Sequence, residues 1–177
     1  MIKVTVPATT ANLGPGFDTL GLALDIQATF TFAPAAQFEI TGCPQRYCNE
    51  NNLVRKAYCR LFQKLNEKPI PVRITIDSPI PTSRGLGSSS ACILGGLCGA
   101  NALLGEPVSA LDLLRLACEL EGHPDNVTPA LLGGLKAALV EQDCLLTADF
   151  NVSERLRFAA LVPDFELETH RARQALP

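Results

Sequence analysis

The chain has 177 residues, of which 47% are hydrophobic and 19% are charged, and its formal net charge is -3. This length and composition predict one domain with a hydrophobic core, and the charge argues against a nucleic-acid footprint or a basic membrane-binding face. Residues 1–7 lack the pattern of a signal peptide, and the longest near-apolar stretch, residues 91–104, is shorter than the ~20 residues that span a bilayer. We therefore expect a soluble protein whose partners include neither nucleic acid nor membrane.

The cysteines and histidines predict neither a disulfide framework nor a zinc site. The seven cysteines are an odd number without a Cys-x-x-Cys pair, and Cys92, Cys98 and Cys118 fall within apolar helical patterns. Neither His123 nor His170 has a partner at metal-ligand spacing. Buried, reduced thiols indicate a reducing compartment, and we expect a cytoplasmic location.

The first part of the chain predicts four strands and one helix. A segment rich in glycine, asparagine and proline, residues 9–18, follows the first strand and is typical of turns. Asn51 or Asn52 suits the cap of a helix that runs to Leu65, because the apolar residues after it keep helical spacing. The predicted strands are residues 2–6, 22–32, 38–41 and 72–76.

The second part of the chain mixes helices with strands. The predicted helices are residues 88–104, 109–119 and 124–132, with a further helix from Thr169 to Leu176. The predicted strands are residues 135–140 and 158–162. Because strands and helices are intermixed without a regular β-α-β repeat, we predict the α+β class.

A loop rich in glycine and serine, residues 81–91, carries the strongest chemical signal, and we call it the serine loop. It consists of Pro81, Thr82, Ser83, Arg84, Gly85, Leu86, Gly87, Ser88, Ser89, Ser90 and Ala91. Gly85 and Gly87 allow a tight turn and a close approach to a ligand, and the three serines begin a helix whose N–H groups attract anions. Serine hydroxyls can also donate to phosphate oxygens or bind Mg²⁺, and Arg84 adds a positive charge. The loop therefore predicts a phosphate-binding site.

Rival interpretations of the serine loop account for less of its sequence. A capped helix after a flexible turn needs no ligand, since serine is a preferred cap, but it leaves the combination of strand, proline, glycines and three serines unexplained. The P-loop requires a Gly-Lys pair, which the chain lacks, and Ser90 stands where a dinucleotide fingerprint needs its third glycine. Because Ala91 follows Ser90, the nucleophile elbow of hydrolases is also excluded.

Segments spread along the chain resemble one kinase superfamily, which is named for galactokinase, homoserine kinase, mevalonate kinase and phosphomevalonate kinase (GHMP). The serine loop resembles the second motif of this superfamily, and residues 7–18 are similar to the opening motif of its homoserine kinase family. The other similar segments are residues 51–54, residues 119–127 with Gly133 and Gly134, and residues 162–173. The resemblance covers essentially the whole chain.

This resemblance implies a fold, an activity and a cofactor. Residues 1–162 would form the N-terminal ATP-binding domain of GHMP kinases, which is ribosomal protein S5 domain 2-like, and residues 163–177 would begin a second domain. The implied reaction is transfer of a phosphoryl group from ATP, with Mg²⁺, to the hydroxyl of L-homoserine, giving O-phospho-L-homoserine for threonine biosynthesis. Because the second domain carries a further glycine-rich motif and a substrate-binding arginine in this family, we expect an incomplete enzyme.

The resemblance also assigns roles to individual residues. Asn126 and Ser88 are the implied catalytic residues, and Ser88 and Glu119 are the implied metal ligands, with Glu121 as the alternative to Glu119. The implied nucleotide-binding residues are Asn52, Leu53 and the serine loop. The implied substrate-binding residues are Asn12, Asp18, Asp125, Asn126, Thr169 and Arg173. Because the amide of Asn126 cannot act as a base, catalysis would rest on positioning and charge neutralisation.

Two other functions remain open from the sequence. One is a sister kinase of another small alcohol, such as mevalonate or a sugar, and the other is a non-catalytic nucleotide-binding module. Contacts from Asp18 to an amino group and from Arg173 to a carboxylate would favour homoserine. Ordinary roles also remain open, since Asn12 and Asp18 suit a turn and Asp125 suits a helix cap. Apolar surface at the edge of the chain should seek a partner, and a homodimer is one candidate.

Overall fold

The structure is a computed structural model that describes residues 1–142, 144–162 and 164–165. The strands among these residues are β1 (Ile2–Ala11), β2 (Leu20–Pro34), β3 (Glu39–Thr41), β4 (Val72–Asp77), β5 (Leu135–Glu141) and β6 (Cys144–Phe150). The helices are α1 (Leu53–Lys64), α2 (Ser88–Leu103), α3 (Ala110–Glu121) and α4 (Val127–Leu132), with a short 3-10 helix at Gln45–Tyr47. This mixture of elements confirms the predicted α+β class.

The strands form one sheet of six strands around the long strand β2. β1 pairs antiparallel with one edge of β2, with a register irregularity between Pro7 and Thr9. On its other edge β2 pairs antiparallel with β5 through residues 20–22 and with β4 through residues 29–34. β3 joins β4 in parallel, and β6 joins β5 antiparallel. The whole of β2 therefore joins the part of the sheet that contains β3 and β4 to the part that contains β5 and β6.

Helix α2 contacts the sheet, α1 and α3, which explains why its sequence is apolar on every side. Gly95 and Gly99 pack on aromatic rings of β2, where an added Cβ would lie 2.4 Å and 2.2 Å from ring carbons. Gly96 packs on α1, where a Cβ would lie 2.2 Å from a backbone carbonyl oxygen. These small residues therefore allow α2 to pack closely on both the sheet and α1. This packing holds the first turn of α2 in a defined place.

The last third of the described chain differs from the prediction. The predicted strand over residues 158–162 is wrong, because this segment forms neither strand nor helix and Phe158 and Leu161 are exposed. The sixth strand is instead Cys144–Phe150, whose residues show little alternation and which is stabilised as a strand by its partner β5. The other predicted strands and helices within the described residues are confirmed, although β1 continues to Ala11 through residues predicted as turn.

Two further predictions are unaffected by the structure. The predicted helix from Thr169 lies outside the described residues, and the domain boundary after residue 162 stays a prediction.

Within the part of the chain that the structure describes, no helix combines the length and the apolarity that a membrane crossing requires.

Candidate active site

A cavity of about 720 Å³ is lined by four separate parts of the chain. One part is the serine loop, which contributes residues 82–89, and another is the segment from Gly42 to Leu53. The third part comprises the ends of β1 and α3, with Asn12, Glu121, His123 and Asn126. The fourth part is the end of β4 and the residues after it, with Ile76, Ser78 and Ile80. Three residues of the serine loop lie outside the described lining: Pro81, Ser90 and Ala91. The cavity thus brings together segments that the sequence predicted separately as parts of a site.

The serine loop approaches β1 so closely that only glycine fits at one position. Gly87 precedes the first residue of α2 with a φ of +67°, and an added Cβ would lie 2.0 Å from the Thr9 hydroxyl oxygen. The Thr9 N–H donates a hydrogen bond to the Leu86 carbonyl oxygen at 3.2 Å. Ser83 also adopts a left-handed backbone, with φ of 56°. These contacts attach the loop to β1 and set the direction in which α2 begins.

The beginning of α2 and Arg84 supply positive potential to the cavity. Ser88 and Ser89 line the cavity, and the first N–H groups of a helix have no partner within it, so they are available to an anion. Nη2 of Arg84 donates to the Asp164 carbonyl oxygen at 2.8 Å, whereas Nη1 is buried without a hydrogen-bond partner among the described residues. Because an unpaired buried donor is costly, a ligand oxygen at Nη1 would be stabilising.

Helix α3 brings Glu121, and not Glu119, to the serine loop. The Glu121 carboxylate lines the cavity and accepts hydrogen bonds from the hydroxyls of Ser89 at 2.5 Å and Ser90 at 3.0 Å. The side chain of Glu119 is 53% exposed and pairs with Arg60 at 3.4 Å. Residues two positions apart on a helix point about 200° apart, so the two carboxylates face different surroundings. The predicted metal ligand Glu119 therefore lies on the exposed face of α3. Glu121, which was predicted as the alternative ligand, lies at the serine loop.

Asn52 and Leu53 border the cavity in different ways. Asn52 is buried, and its Oδ1 accepts a hydrogen bond from the Val54 N–H at 2.9 Å, so it caps helix α1. Its Nδ2 donates to the Tyr47 carbonyl oxygen at 3.0 Å. Leu53 is 42% exposed and lines the cavity, where it offers apolar surface to a flat ring.

Three ionisable side chains, which we call the acidic cluster, lie together beside the cavity. The polar atoms of Asp18, His123 and Asp125 are within 4.8 Å of one another. Asp125 is 1% exposed, and its Oδ1 lies 2.5 Å from Nδ1 of His123 and accepts the Asn126 N–H at 2.9 Å. Its Oδ2 is buried and has no hydrogen-bond partner within the described part of the chain. A buried carboxylate oxygen of this kind attracts a cationic donor.

Asn12 holds the backbone at the acidic cluster. Its Oδ1 accepts a hydrogen bond from the Asp18 N–H at 2.8 Å. Both residues adopt a left-handed backbone, with φ of 58° for Asn12 and 53° for Asp18. Such conformations cost non-glycine residues about 1–3 kcal/mol and are often found at binding sites.

Asn126 connects the acidic cluster to the serine loop. Its Oδ1 accepts a hydrogen bond from the Thr9 hydroxyl at 2.8 Å, and its Nδ2 lies 3.4 Å from Oδ1 of Asp125. Thr9 was not predicted as a site residue; the sequence placed it at the start of a turn segment, whereas it lies in β1. Thr169 and Arg173, which were predicted to bind substrate, lie outside the described residues, and their role stays a prediction.

Comparison with known proteins agrees with this geometry. Residues 52–134 match the family model of the GHMP kinases N terminal domain. Over its whole length the chain is 47% identical to a homoserine kinase of Clostridium botulinum (strain Langeland / NCTC 10281 / Type F). The chain is therefore similar to GHMP kinases, through their N-terminal domain. It spans about 60% of the length of the curated relatives it matches, which include a 46% identical homoserine kinase of Clostridium beijerinckii.

Solved GHMP kinase structures have the same architecture. The crystal structure of homoserine kinase from Cytophaga hutchinsonii matches with a TM-score of 0.80 at 31% identity, over 99% of this chain and 60% of that one. The mevalonate kinase of Methanococcus jannaschii matches with a TM-score of 0.68 at 15% identity, over 85% of this chain and 56% of that one, and shows likeness of fold alone. The predicted fold, the N-terminal domain of GHMP kinases, is confirmed.

Proposed function

We propose that this chain provides the ATP-binding part, and some of the substrate-binding part, of a homoserine kinase. The reaction would transfer the γ-phosphoryl group of ATP to the hydroxyl of L-homoserine and yield O-phospho-L-homoserine for threonine biosynthesis. The observation that carries the proposal is the adjacency of the serine loop, which suits phosphates, and the acidic cluster, which suits an ammonium group. Relatives described as homoserine kinases match the chain from end to end.

The cavity suits a nucleoside triphosphate in size and chemistry. Its volume of about 720 Å³ falls in the range of ligand pockets, roughly 300–1,000 Å³. We propose that the N–H groups at the start of α2 and Nη1 of Arg84 bind the phosphates. The first N–H groups of a helix have no partner within it, and Nη1 has no hydrogen-bond partner among the described residues. Leu53 would contact the adenine ring, and Asn52 would act by capping α1 beside it.

The residues at the start of α2 fit Mg²⁺. Glu121 and Ser88 both line the cavity and offer oxygen atoms, which this hard cation prefers, and the Glu121 carboxylate already gathers two serine hydroxyls around it. We therefore propose Glu121 with Ser88 as the metal ligands, in place of Glu119. The bound ion would neutralise charge on the phosphates of ATP.

The acidic cluster would hold the amino group of L-homoserine. Oδ2 of Asp125, which has no hydrogen-bond partner among the described residues, is an acceptor for an ammonium N–H, and Asp18 adds a second negative charge nearby. Nδ2 of Asn126 would donate to the substrate hydroxyl and orient it toward the serine loop. Since an amide cannot remove the hydroxyl proton, we propose that the proton passes to an oxygen of the transferred phosphoryl group. A pH–rate profile governed by one carboxylate near the substrate would contradict this proton route.

A coupled assay of ADP release tests the proposed function. Mg·ATP would be supplied with L-homoserine, mevalonate or galactose, both to this chain and to the protein expressed from the complete gene. Turnover that depends on homoserine supports the proposal, and turnover of mevalonate or galactose supports a sister kinase instead. ATP binding without any turnover in either form would identify a nucleotide-binding module and overturn the proposal.

A substrate analogue isolates the ammonium contact. 4-Hydroxybutyrate has the hydroxyl and carboxylate of homoserine but lacks the amino group. We expect Asp125→Asn to lower kcat/KM for L-homoserine about a hundredfold, as expected for breaking a buried charge pair, and to change 4-hydroxybutyrate turnover much less. Asp25→Asn, which removes an exposed carboxylate on β2, is the control and should leave both substrates unaffected. Equal losses with both substrates would contradict the ammonium assignment.

We also propose a cytoplasmic location. All seven cysteines are free in the structure, which is in keeping with a reducing compartment. The homodimer expected from the sequence stays a prediction.

A further inference from the structure

Cys43 and Cys48 form a close pair of thiols. Their Sγ atoms are 3.6 Å apart, and Sγ of Cys48 also lies 3.5 Å from the Cys43 carbonyl oxygen. A disulfide bond is about 2.05 Å long, so the sulfurs would have to approach by roughly 1.5 Å to form one. Rotation of two side chains on one turn can supply a movement of this size.

The backbone between the two cysteines is held in a tight turn. The Tyr47 N–H donates to the Pro44 carbonyl oxygen at 2.8 Å, and the Cys48 N–H donates to the Gln45 carbonyl oxygen at 3.1 Å. Both cysteines are partly exposed, so a small molecule can reach them from solvent. The turn thus holds two accessible thiols together in the reduced protein.

The pair is connected to the candidate nucleotide site. Cys43 lines the cavity, and the Asn52 amide nitrogen lies 3.9 Å from its Sγ. The Asn52 side chain also caps α1 through the Val54 N–H and donates to the Tyr47 carbonyl oxygen. One side chain therefore contacts Cys43, Tyr47 and the start of α1. Moving the sulfur of Cys43 toward Cys48 would disturb this contact and change the cavity wall.

We propose that Cys43 and Cys48 form a reversible disulfide by exchange with a low-molecular-weight disulfide such as oxidised glutathione, and that this bond weakens nucleotide binding. The effect on nucleotide rests on the proposed function, whereas disulfide formation does not. In the exchange, the Cys48 thiolate attacks one sulfur of oxidised glutathione and releases one glutathione thiolate. The Cys43 thiolate then attacks the Cys48 sulfur and releases the second, so the protein loses two protons and two electrons and glutathione gains them.

The order of attack follows from the surroundings of the thiols. Burial and the neighbouring Cys48 raise the pKa of Cys43 to about 11, which makes it the poorer first nucleophile. Cys92 also lines the cavity, but burial, with Cys43 and Glu121 nearby, raises its pKa to about 12. We therefore expect Cys92 to react slowly and not to replace Cys48 in the bond.

Tryptic mapping identifies the bond directly, because Arg46 lies between the two cysteines. The protein expressed from the complete gene would be equilibrated in glutathione buffers of increasing oxidation, alkylated and digested without reductant. We expect peptide 4–46 to be linked to peptide 47–55 in the oxidised samples and to be released by dithiothreitol. Glutathione adducts, a link from Cys43 to Cys92, or unmodified peptides as the main product would overturn the proposal.

Binding of a fluorescent ATP analogue measures the consequence. We expect oxidation to weaken binding about fivefold, as for the loss of one hydrogen bond, and reduction to restore it. Cys48→Ser, at a position outside the described lining of the cavity, should bind normally and should not respond to the oxidant, whereas Cys144→Ser, which removes an exposed thiol, should respond like the wild type. Unchanged binding by cross-linked protein would overturn the link to nucleotide. Failure of the reduced protein to bind would contradict the proposed function and leave the cross-link result standing.

Discussion

The hydroxyl of Thr9 donates a 2.8 Å hydrogen bond to Oδ1 of Asn126, across 117 positions of sequence. This bond joins β1 to the connection between α3 and α4. It occupies Oδ1 of Asn126, which is the acceptor atom of the amide. Nδ2 is then the end that can donate to a bound hydroxyl. Two segments that resembled separate family motifs therefore form one unit in the fold.

Replacing Thr9 by valine should lower kcat for L-homoserine about tenfold, because the Asn126 amide loses the bond that orients it. Thr9→Ser keeps the hydroxyl and should retain most of the activity. Steady-state kinetics of the protein expressed from the complete gene would separate the two variants. If Thr9→Ser loses activity while Thr9→Val retains it, the packing of the threonine methyl matters and the hydrogen bond does not.

Gly87→Ala should destabilise the protein more than Gly85→Ala. Both glycines have positive φ, +67° and +72°, so either substitution strains the backbone by about 1 kcal/mol. An added Cβ meets the Thr9 hydroxyl at 2.0 Å only at Gly87, whereas Gly85 has open space around it. We expect this overpacking to add about 1–3 kcal/mol to the loss. Urea unfolding of both variants measures the difference. Equal free energies of unfolding would show that the serine loop moves enough to accommodate the added Cβ at position 87.

Glu121→Gln should raise the Mg²⁺ concentration needed for half-maximal activity about tenfold, since an amide is a weaker ligand than a carboxylate for a hard cation. Glu119→Gln breaks only the exposed pair with Arg60, which contributes less than about 1 kcal/mol to stability. It should leave the magnesium dependence unchanged. Magnesium titrations of the two variants decide between the carboxylates, and the reverse pattern would restore Glu119 as the ligand.

The protein should lose stability at alkaline pH through its buried thiols. Burial is the main cause that raises the pKa from 9.0 to about 11 for Cys98 and to about 12 for Cys92. The unfolded chain releases these protons at lower pH than the folded chain, so the stabilisation is complete below pH 9.0 and is lost as the pH rises toward the folded values. The free energy of unfolding should fall by up to about 1.4 kcal/mol per pH unit for each thiol.

Urea unfolding under reducing conditions, from about pH 8 to about pH 10, tests this slope. Cys98→Ala should make the fall shallower. Cys144→Ala removes a thiol that is already exposed, and it should leave the slope unchanged. A wild-type stability that does not change over this range would contradict the expectation.

Helical spacing could have selected the carboxylate that reaches the serine loop. Glu121 follows the buried residues Ala117 and Cys118 by four and three positions, so it shares their face, whereas Glu119 lies four positions after the exposed Arg115. Resemblance to the family, and not spacing, had placed Glu119 first. What spacing cannot supply is the identity of the neighbour on that face, which is the first turn of α2.

Features that depend on near neighbours along the chain could be predicted from the sequence alone. The cap at Asn52, the glycine turns of the serine loop and the alternation of β4 follow from local backbone and side-chain chemistry. Tertiary packing was needed to make Cys144–Phe150 a strand and to bring Glu121 to Ser89 and Ser90. These outcomes join distant residues, and their geometry depends on how β5, α2 and α3 pack, which no local pattern encodes.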